Sequence, residues 1–140
     1  IAKELNMSYK KLLSNWVEYK KKSIKKNTVL EKIIKKLKIR GYIVASLSNV
    51  VDIHQKACNE KKIYSVFDFN ILSFKVKLIK PDKRIYQLLL KKLKLPGNEV
   101  IFTDDYQSCL DGAKKLGINT LLFKNNQQFV KDLRKLGVKL

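Results

Sequence analysis

Apolar side chains recur every three to four residues in the first part of the chain, which is typical of helices. This spacing predicts a helix over 9–22, with Ser8 as its N-cap. A second helix is predicted to begin at Thr28, where Glu31 three residues later forms the pattern of a capping box. Gly41 is placed to end this second helix in a left-handed conformation.

Beyond Gly41, short apolar runs alternate with longer amphipathic segments. The predicted strands are 42–47, 66–72, 99–103 and 119–123, and the predicted helices are 52–61, 81–95, 106–116 and 127–136. Strands that alternate with helices of about ten residues pair in parallel through right-handed crossovers. The pattern therefore predicts an α/β fold, a doubly wound parallel Rossmann-like sheet, behind an N-terminal helical piece.

Composition narrows the class of protein. The chain has 140 residues, of which 45% are hydrophobic and 31% charged, as expected for one globular domain. The longest apolar run, 42–47, is too short to cross a bilayer, and no secretory signal pattern precedes it. Cys58 and Cys109 are too few for a disulfide scaffold and are expected to pack on helix faces. A cytoplasmic location without a membrane partner is therefore expected.

The net charge of +19 raises the question of a nucleic-acid partner. Of the 31 basic residues, however, 28 are lysine and only three are arginine, the residue that recognises phosphates and bases with a planar fork. The excess of basic residues is also spread along the chain, and no helix-turn-helix, zinc or RNP-like pattern is present. A nucleic-acid partner is therefore not expected. A basic nucleic-acid-binding module is kept as an alternative, which predicts a steep salt dependence of binding.

Polar side chains follow three of the predicted strands, where ligands bind in open parallel sheets. Ser48 and Asn49 follow the first strand, Lys80 lies beyond the second, and Asp104 and Asp105 follow the third. Their hydroxyl, ammonium and carboxylate groups are those of a phosphate site with Mg²⁺, which prefers oxygen ligands. Taken alone, Ser48 and Asn49 are also typical of a turn at a strand end.

The adjacent carboxylates Asp104 and Asp105 carry the strongest single signal. Their mutual repulsion needs an offsetting charge, and a divalent cation supplies one. The alternative is that Asp105 caps the helix that begins at Tyr106. Lys80 precedes a helix start, where the helix dipole favours anions. His54, the only histidine, lacks a second histidine at metal-binding spacing and is expected on the surface.

Together the segments ASLSN at 45–49, KPDKRIY at 80–86, VIFTDD at 100–105 and DGAKKLGI at 111–118 resemble the haloacid dehalogenase-like (HAD) hydrolase superfamily. The resemblance covers about residues 28–140. Its three site motifs occur in the family's order, with separations of 32 and 24 residues between the candidate hydroxyl, lysine and first aspartate.

The resemblance implies a role for each candidate residue. Ser48 would hydrogen-bond the phosphoryl group, and Asn49 would shape the loop around it. Lys80 would neutralise the nucleophile and the phosphate, while Asp104 and Asp105 would hold Mg²⁺. The implied activity is a Mg²⁺-dependent phosphatase that acts on small phosphate monoesters through an aspartyl-phosphate.

One motif of the family is absent. Its nucleophile is an aspartate in a DxDx[ST] motif after a first, central strand, and the sequence contains no such motif. Residues 1–27 resemble the last helix of a helical cap, and 28–140 resemble the core without its first strand. The strands 42–47 and 100–103 would then expose unpaired edges or pair directly. We therefore expect the chain alone to be inactive, and to be marginally stable, aggregating, or completed by another chain or an N-terminal segment.

A second departure concerns Cys109, which stands where relatives with this type of acid motif usually carry asparagine. Three alternatives to a phosphatase stay open. A dehalogenase of the same family needs no metal, which the paired acids disfavour. A response-regulator receiver places its acid pair first in the chain rather than last. A catalytically dead or split relative would act as a binding protein.

Overall fold

The computed structural model describes residues 7–140, which form seven α-helices and four strands. The helices are α1 Tyr9–Ser23, α2 Thr28–Ile39, α3 Asp52–Glu60, α4 Ser73–Val76, α5 Lys83–Leu93, α6 Gln107–Lys114 and α7 Asn126–Lys135. The strands are β1 Ala45–Ser48, β2 Phe69–Leu72, β3 Ile101–Asp104 and β4 Asn119–Leu122. Within 7–140, none of the helices has the length and hydropathy needed to span a bilayer.

The four strands form two separate parallel pairs. β1 pairs with β2, with Ala45 opposite Phe69, and β3 pairs with β4, with Ile101 opposite Asn119. β1 and β3 share no ladder of hydrogen bonds. The predicted α/β class and parallel pairing are therefore confirmed. Across the described residues, however, the strands do not join into one sheet, and the direct pairing of β1 with β3 does not occur.

The unpaired edges of β1 and β3 can be identified from their hydrogen bonds. Just before β1, Val44 directs both its N–H and its C=O towards Asp68, on the β2 side. Because the backbone N–H and C=O groups of successive residues point to alternate edges of a strand, those of Leu47 point to the edge opposite β2. In β3, Asp104 directs its carbonyl to the chain just after β4, so the backbone N–H and C=O of Thr103 point away from β4. We call the space between these two edges the strand gap; it is bounded by β1 and β3.

The two strand pairs are held together by packing. One buried cluster combines Leu47 of β1, Ile71 of β2 and Phe102 of β3 with side chains of α5 and α6. A second cluster lies around α2 and α7 and consists of Ile33, Leu37, Phe129, Leu133 and Val138. Cys58 and Cys109 are buried free thiols, as expected.

Two of the three helix ends that were predicted from the sequence are confirmed by the structure. The Ser8 hydroxyl caps α1, and Gly41 has a positive φ of 84° after α2. The predicted capping box at Thr28 is wrong, because the Asn27 side chain accepts the capping hydrogen bond and Thr28 is the first helical residue. Glu31 instead forms ion pairs with two lysines.

Several element boundaries also differ from the prediction. Helix α5 is capped by Asp82 and begins after it, so Pro81 lies outside the helix rather than in its first turn. The strands predicted over 42–47 and 66–72 begin three residues later, at Ala45 and Phe69. A 3₁₀ turn over Tyr64–Val66 occupies the start of the second of these runs.

Candidate active site

Lys80 links the unpaired edge of β1 to a carboxylate at the end of β3. Its Nζ donates a hydrogen bond to the Leu47 carbonyl at 2.8 Å and contacts Asp104 Oδ2 at 2.6 Å. The side chains of Lys80 and Asp104 are only 10% and 6% exposed. Since Leu47 belongs to β1 and Asp104 to β3, one buried ammonium bridges the two strand pairs.

Asn49 fixes the backbone of Lys80 from the loop after β1. Its Oδ1 accepts a hydrogen bond from the Lys80 N–H at 2.8 Å, and its Nδ2 donates to the Lys80 carbonyl at 2.9 Å. An amide side chain has one acceptor and a donor pair, so it can hold both backbone groups of one residue. The structure thus joins two of the predicted site residues directly.

The acid pair after β3 divides into one buried and one exposed carboxylate. Besides its contact with Lys80, Asp104 accepts a hydrogen bond from the Tyr106 N–H at Oδ1, at 2.9 Å. Asp105 is exposed, and α6 begins without a side-chain cap. The alternative in which Asp105 caps that helix is therefore wrong.

Ser48 ends β1 and lies near the Tyr64 hydroxyl. Burial raises the pKa of the Tyr64 hydroxyl, and the Ser48 contact partly opposes this shift. The structure therefore joins Asn49, Lys80 and Asp104 in one hydrogen-bonded network. Ser48 does not share these hydrogen bonds and lies near Tyr64. Sequence reasoning missed Tyr64, which lies in an irregular turn with no motif around it.

Gly112 is a second residue that sequence reasoning missed, although it belongs to the DGAKKLGI segment. A Cβ at this position would lie 2.8 Å from the Pro81 carbonyl oxygen and 3.0 Å from a ring carbon of Tyr86. The buried Tyr86 hydroxyl donates to the Cys109 carbonyl at 2.7 Å, and its burial raises the pKa of the phenol. Glycine thus lets α6 approach the turn that carries Lys80.

Replacement of Gly112 by alanine is expected to destabilise the protein by about 1–3 kcal/mol, because the added methyl group overpacks this contact. Lys114→Ala, at an exposed position of the same helix, serves as the matched control and is expected to change stability by less than about 0.5 kcal/mol. Urea unfolding measures both. A Gly112→Ala variant as stable as the unmodified chain would contradict the close approach, since alanine otherwise favours a helix over glycine.

The acid pair fits a magnesium ion. Magnesium is usually held by one or two carboxylates together with water and phosphate oxygens. Asp105 offers an exposed carboxylate, and Asp104 retains lone pairs beyond its two internal contacts. Within residues 7–140 no group of three metal-ligating side chains exists. A magnesium ion held by these two carboxylates would take its other ligands from water.

The chain was compared with protein families and with known proteins. The model of haloacid dehalogenase-like hydrolases matches residues 1–123. (S)-2-haloacid dehalogenase 4A of Burkholderia cepacia is 42% identical over 89 residues, which are 63% of this chain and 38% of that protein. Bifunctional epoxide hydrolase 2 of Mus musculus is 43% identical over 70 residues, which are 50% of this chain and 13% of that protein.

A solved structure shows the same architecture. A HAD family enzyme of Bacteroides thetaiotaomicron, in complex with magnesium and inorganic phosphate, has a TM-score of 0.60 and 28% identity over 71% of this chain and 55% of its own. The chain thus spans between about an eighth and just over half of the length of these three proteins. The match of the family model covers most of the chain and agrees with the fold. The chain belongs to the haloacid dehalogenase-like hydrolase family.

Proposed function

We propose that this chain carries the phosphate-binding and magnesium-binding part of a phosphatase that acts on small phosphate monoesters. The observation that carries the proposal is the buried ammonium of Lys80, held by the Leu47 carbonyl of β1 and the Asp104 carboxylate of β3. A fixed cation of this kind favours a phosphoryl group, whose charge it offsets. The exposed carboxylate of Asp105 beside it supports a magnesium site, and the relative crystallised with magnesium and phosphate is consistent with both.

The strand gap is proposed to receive the nucleophile. An extended segment that runs parallel to β1 and β3 would hydrogen-bond the outward backbone groups of both strands, including those of Leu47 and Thr103. Its carboxyl end would then lie next to Lys80, which touches the β1 edge at Leu47 and the Asp104 carboxylate at the end of β3. An aspartate at that end would pair with the ammonium. The segment is supplied by the same polypeptide or by a partner chain, and both sources give the same site.

The proposed reaction has two steps. The carboxylate oxygen of the added aspartate attacks phosphorus, the bond to the ester oxygen breaks, and the departing oxygen takes up a proton to give an alcohol. Water then hydrolyses the acyl phosphate, which releases inorganic phosphate and restores the aspartate. Lys80 offsets the negative charge in both steps, and Asn49 holds the Lys80 backbone in position. Bound magnesium would stabilise charge on the phosphoryl oxygens.

A dehalogenase is the second candidate, favoured by the 42% identity with (S)-2-haloacid dehalogenase 4A. In that chemistry the aspartate would displace a halide from carbon and no metal is needed. Two adjacent carboxylates have no clear role in such a site. The phosphatase is therefore the better supported function.

The test combines the 140-residue chain with a synthetic peptide in which an apolar strand ends in the sequence DxDx[ST]. Release of 4-nitrophenol from 4-nitrophenyl phosphate is expected only when chain, peptide and Mg²⁺ are all present. A peptide with asparagine for the first aspartate is the matched control and should be inactive. The contrary outcome is a mixture in which the peptide binds the chain and chloride is released from 2-chloropropionate without metal. If that mixture releases no 4-nitrophenol from 4-nitrophenyl phosphate, the dehalogenase replaces the phosphatase as the proposed function.

A further inference from the structure

A cavity of about 400 Å³ opens where α3, the turn after α3, β2 and α4 come together. We call it the α3 cavity; side chains from all four of these segments line it. Its volume is in the usual range for a small-molecule site. None of the described residues that line it belongs to the hydrogen-bonded network of Lys80. The α3 cavity is therefore a separate place where a ligand can bind.

The α3 cavity carries positive charge. Lys62, in the turn after α3, and Lys75, in α4, both line it with exposed side chains. The Lys75 ammonium lies 5.9 Å from the centre of the Phe74 ring, a cation–π contact that leaves its charge in place. Among the lining side chains that the structure describes, none is acidic. The charge that complements this cavity is therefore an anion.

Two carboxamides of α3 add neutral hydrogen-bonding groups. Gln55 and Asn59 both line the cavity and lie four residues apart, on one face of the helix. Each amide offers one acceptor and a pair of donors, so a hydroxyl group, which also donates and accepts, is complementary to it. His54 also belongs to α3 but does not line this cavity, and it is half-buried, so its expected position on the surface is corrected in part.

The apolar part of the lining comes from Tyr64 and Leu72. Leu72 is buried and the Tyr64 ring is half-buried. The Tyr64 backbone is held by Asn70, whose Nδ2 donates to the Tyr64 carbonyl at 3.3 Å. Burial raises the pKa of the Tyr64 phenol, so Tyr64 keeps its proton and adds no negative charge to the cavity. A ligand here would contact the side chain that neighbours Ser48.

We propose that the α3 cavity is a second ligand site, which binds a small polyhydroxylated phosphate ester such as a sugar phosphate. A phosphate monoester carries nearly two negative charges, which match the ammoniums of Lys62 and Lys75. The hydroxyls would exchange hydrogen bonds with the amides of Gln55 and Asn59. The apolar face of the sugar would lie against the Tyr64 ring. The inference goes beyond the proposed function and does not depend on it, since the cavity shares none of its described lining residues with the proposed phosphate site.

The test follows Tyr64 by ¹⁹F NMR after 3-fluorotyrosine has replaced the six tyrosines of the chain. The full chain is studied without Mg²⁺ in trimethylamine N-oxide, which favours the folded state, and Tyr64→Phe identifies the Tyr64 signal. Glucose 6-phosphate is expected to shift this signal saturably. It should bind about tenfold more tightly than inorganic phosphate or glucose, because it alone engages both the ammoniums and the amides. Equal affinities of glucose 6-phosphate and inorganic phosphate, or no shift with any of the three, would overturn the proposal.

Substitution of the two lysines tests the phosphate contact. Lys62→Met and Lys75→Met are each expected to weaken glucose 6-phosphate binding about fivefold and to leave glucose binding unchanged. Lys77→Met is the matched control, because Lys77 is exposed, has a positive φ of 57° close to the 51° of Lys62, and does not line the cavity. It should change neither affinity. If all three variants bind glucose 6-phosphate equally well, Lys62 and Lys75 do not hold the phosphate and the proposal is wrong.

Gln55→Met tests the hydroxyl contact, because methionine keeps the length of the side chain and removes the amide. It is expected to weaken the binding of glucose 6-phosphate and of glucose about fivefold and to leave inorganic phosphate binding unchanged. If it weakens inorganic phosphate binding as much, Gln55 does not recognise hydroxyls and the assignment to a sugar phosphate is wrong. A Tyr64 shift that depends on Lys62 and Lys75 supports the α3 cavity whether or not 4-nitrophenyl phosphate is hydrolysed in the test of the proposed function.

Discussion

Replacement of Lys80 by methionine is expected to lower the free energy of unfolding by about 3–5 kcal/mol. The substitution leaves the Asp104 carboxylate 6% exposed and without its cation, and it removes the donor from the Leu47 carbonyl. Removing one partner of a buried ion pair costs more than the pair itself contributes, because the remaining charge cannot be hydrated. Urea unfolding followed by circular dichroism gives the value.

Lys83→Met is the matched control, since Lys83 is exposed in the first turn of α5. It is expected to change the free energy of unfolding by less than about 0.5 kcal/mol. The double variant Lys80→Met/Asp104→Asn should recover part of the lost stability, because its buried amide carries no charge. Should Lys80→Met be unfolded in buffer, sucrose or trimethylamine N-oxide restores a measurable transition. Equal stabilities of the two single variants would show that Lys80 and Asp104 are not a buried pair.

A peptide that fills the strand gap is expected to raise the thermal midpoint of the chain by about 8 °C at a concentration about 100 times its Kd. At that ratio, binding to the folded state alone adds about 2.7 kcal/mol, and about 3 °C per kcal/mol is typical for a domain of this size. The physical reason is that the outward backbone groups of β1 and β3 gain ladder partners. Scanning calorimetry with and without the DxDx[ST] peptide measures the shift.

The control peptide carries proline at its central position, because proline cannot donate to a ladder and is excluded from central strands. It should leave the midpoint unchanged. Without any peptide, the chain is expected to melt broadly or to aggregate. A cooperative transition from a clean monomer, unaffected by the peptide, would contradict the view that the strand gap needs an occupant.

The α/β class and the parallel pairing could be predicted because they follow from local patterns. Short apolar runs and amphipathic segments alternate along the chain, and each is encoded within about ten residues. The start of α2 does not follow from the local sequence. Asn27 and Thr28 are both good capping residues one position apart, and only the backbone geometry decides between them.

The site could be predicted in part. Lys80 is one of 28 lysines, and its chemical type alone would not distinguish it. Its position directly before a predicted helix start distinguishes it, and the structure shows its burial and its contact with Asp104. The roles of Tyr64 and Gly112 depend on contacts between segments distant in sequence. No local pattern indicates such contacts, so the sequence alone does not identify these residues.

The division into two strand pairs also affects how the chain folds. In the first pair 24 residues separate Ala45 from its partner Phe69, and in the second 18 residues separate Ile101 from Asn119. The loop-closure entropy of each pair is therefore modest, and neither pair needs the other to complete its ladder. Each strand pair can therefore form early, during synthesis of the chain. Their docking, through the shared apolar cluster and Lys80, then becomes the step that brings distant parts of the chain together.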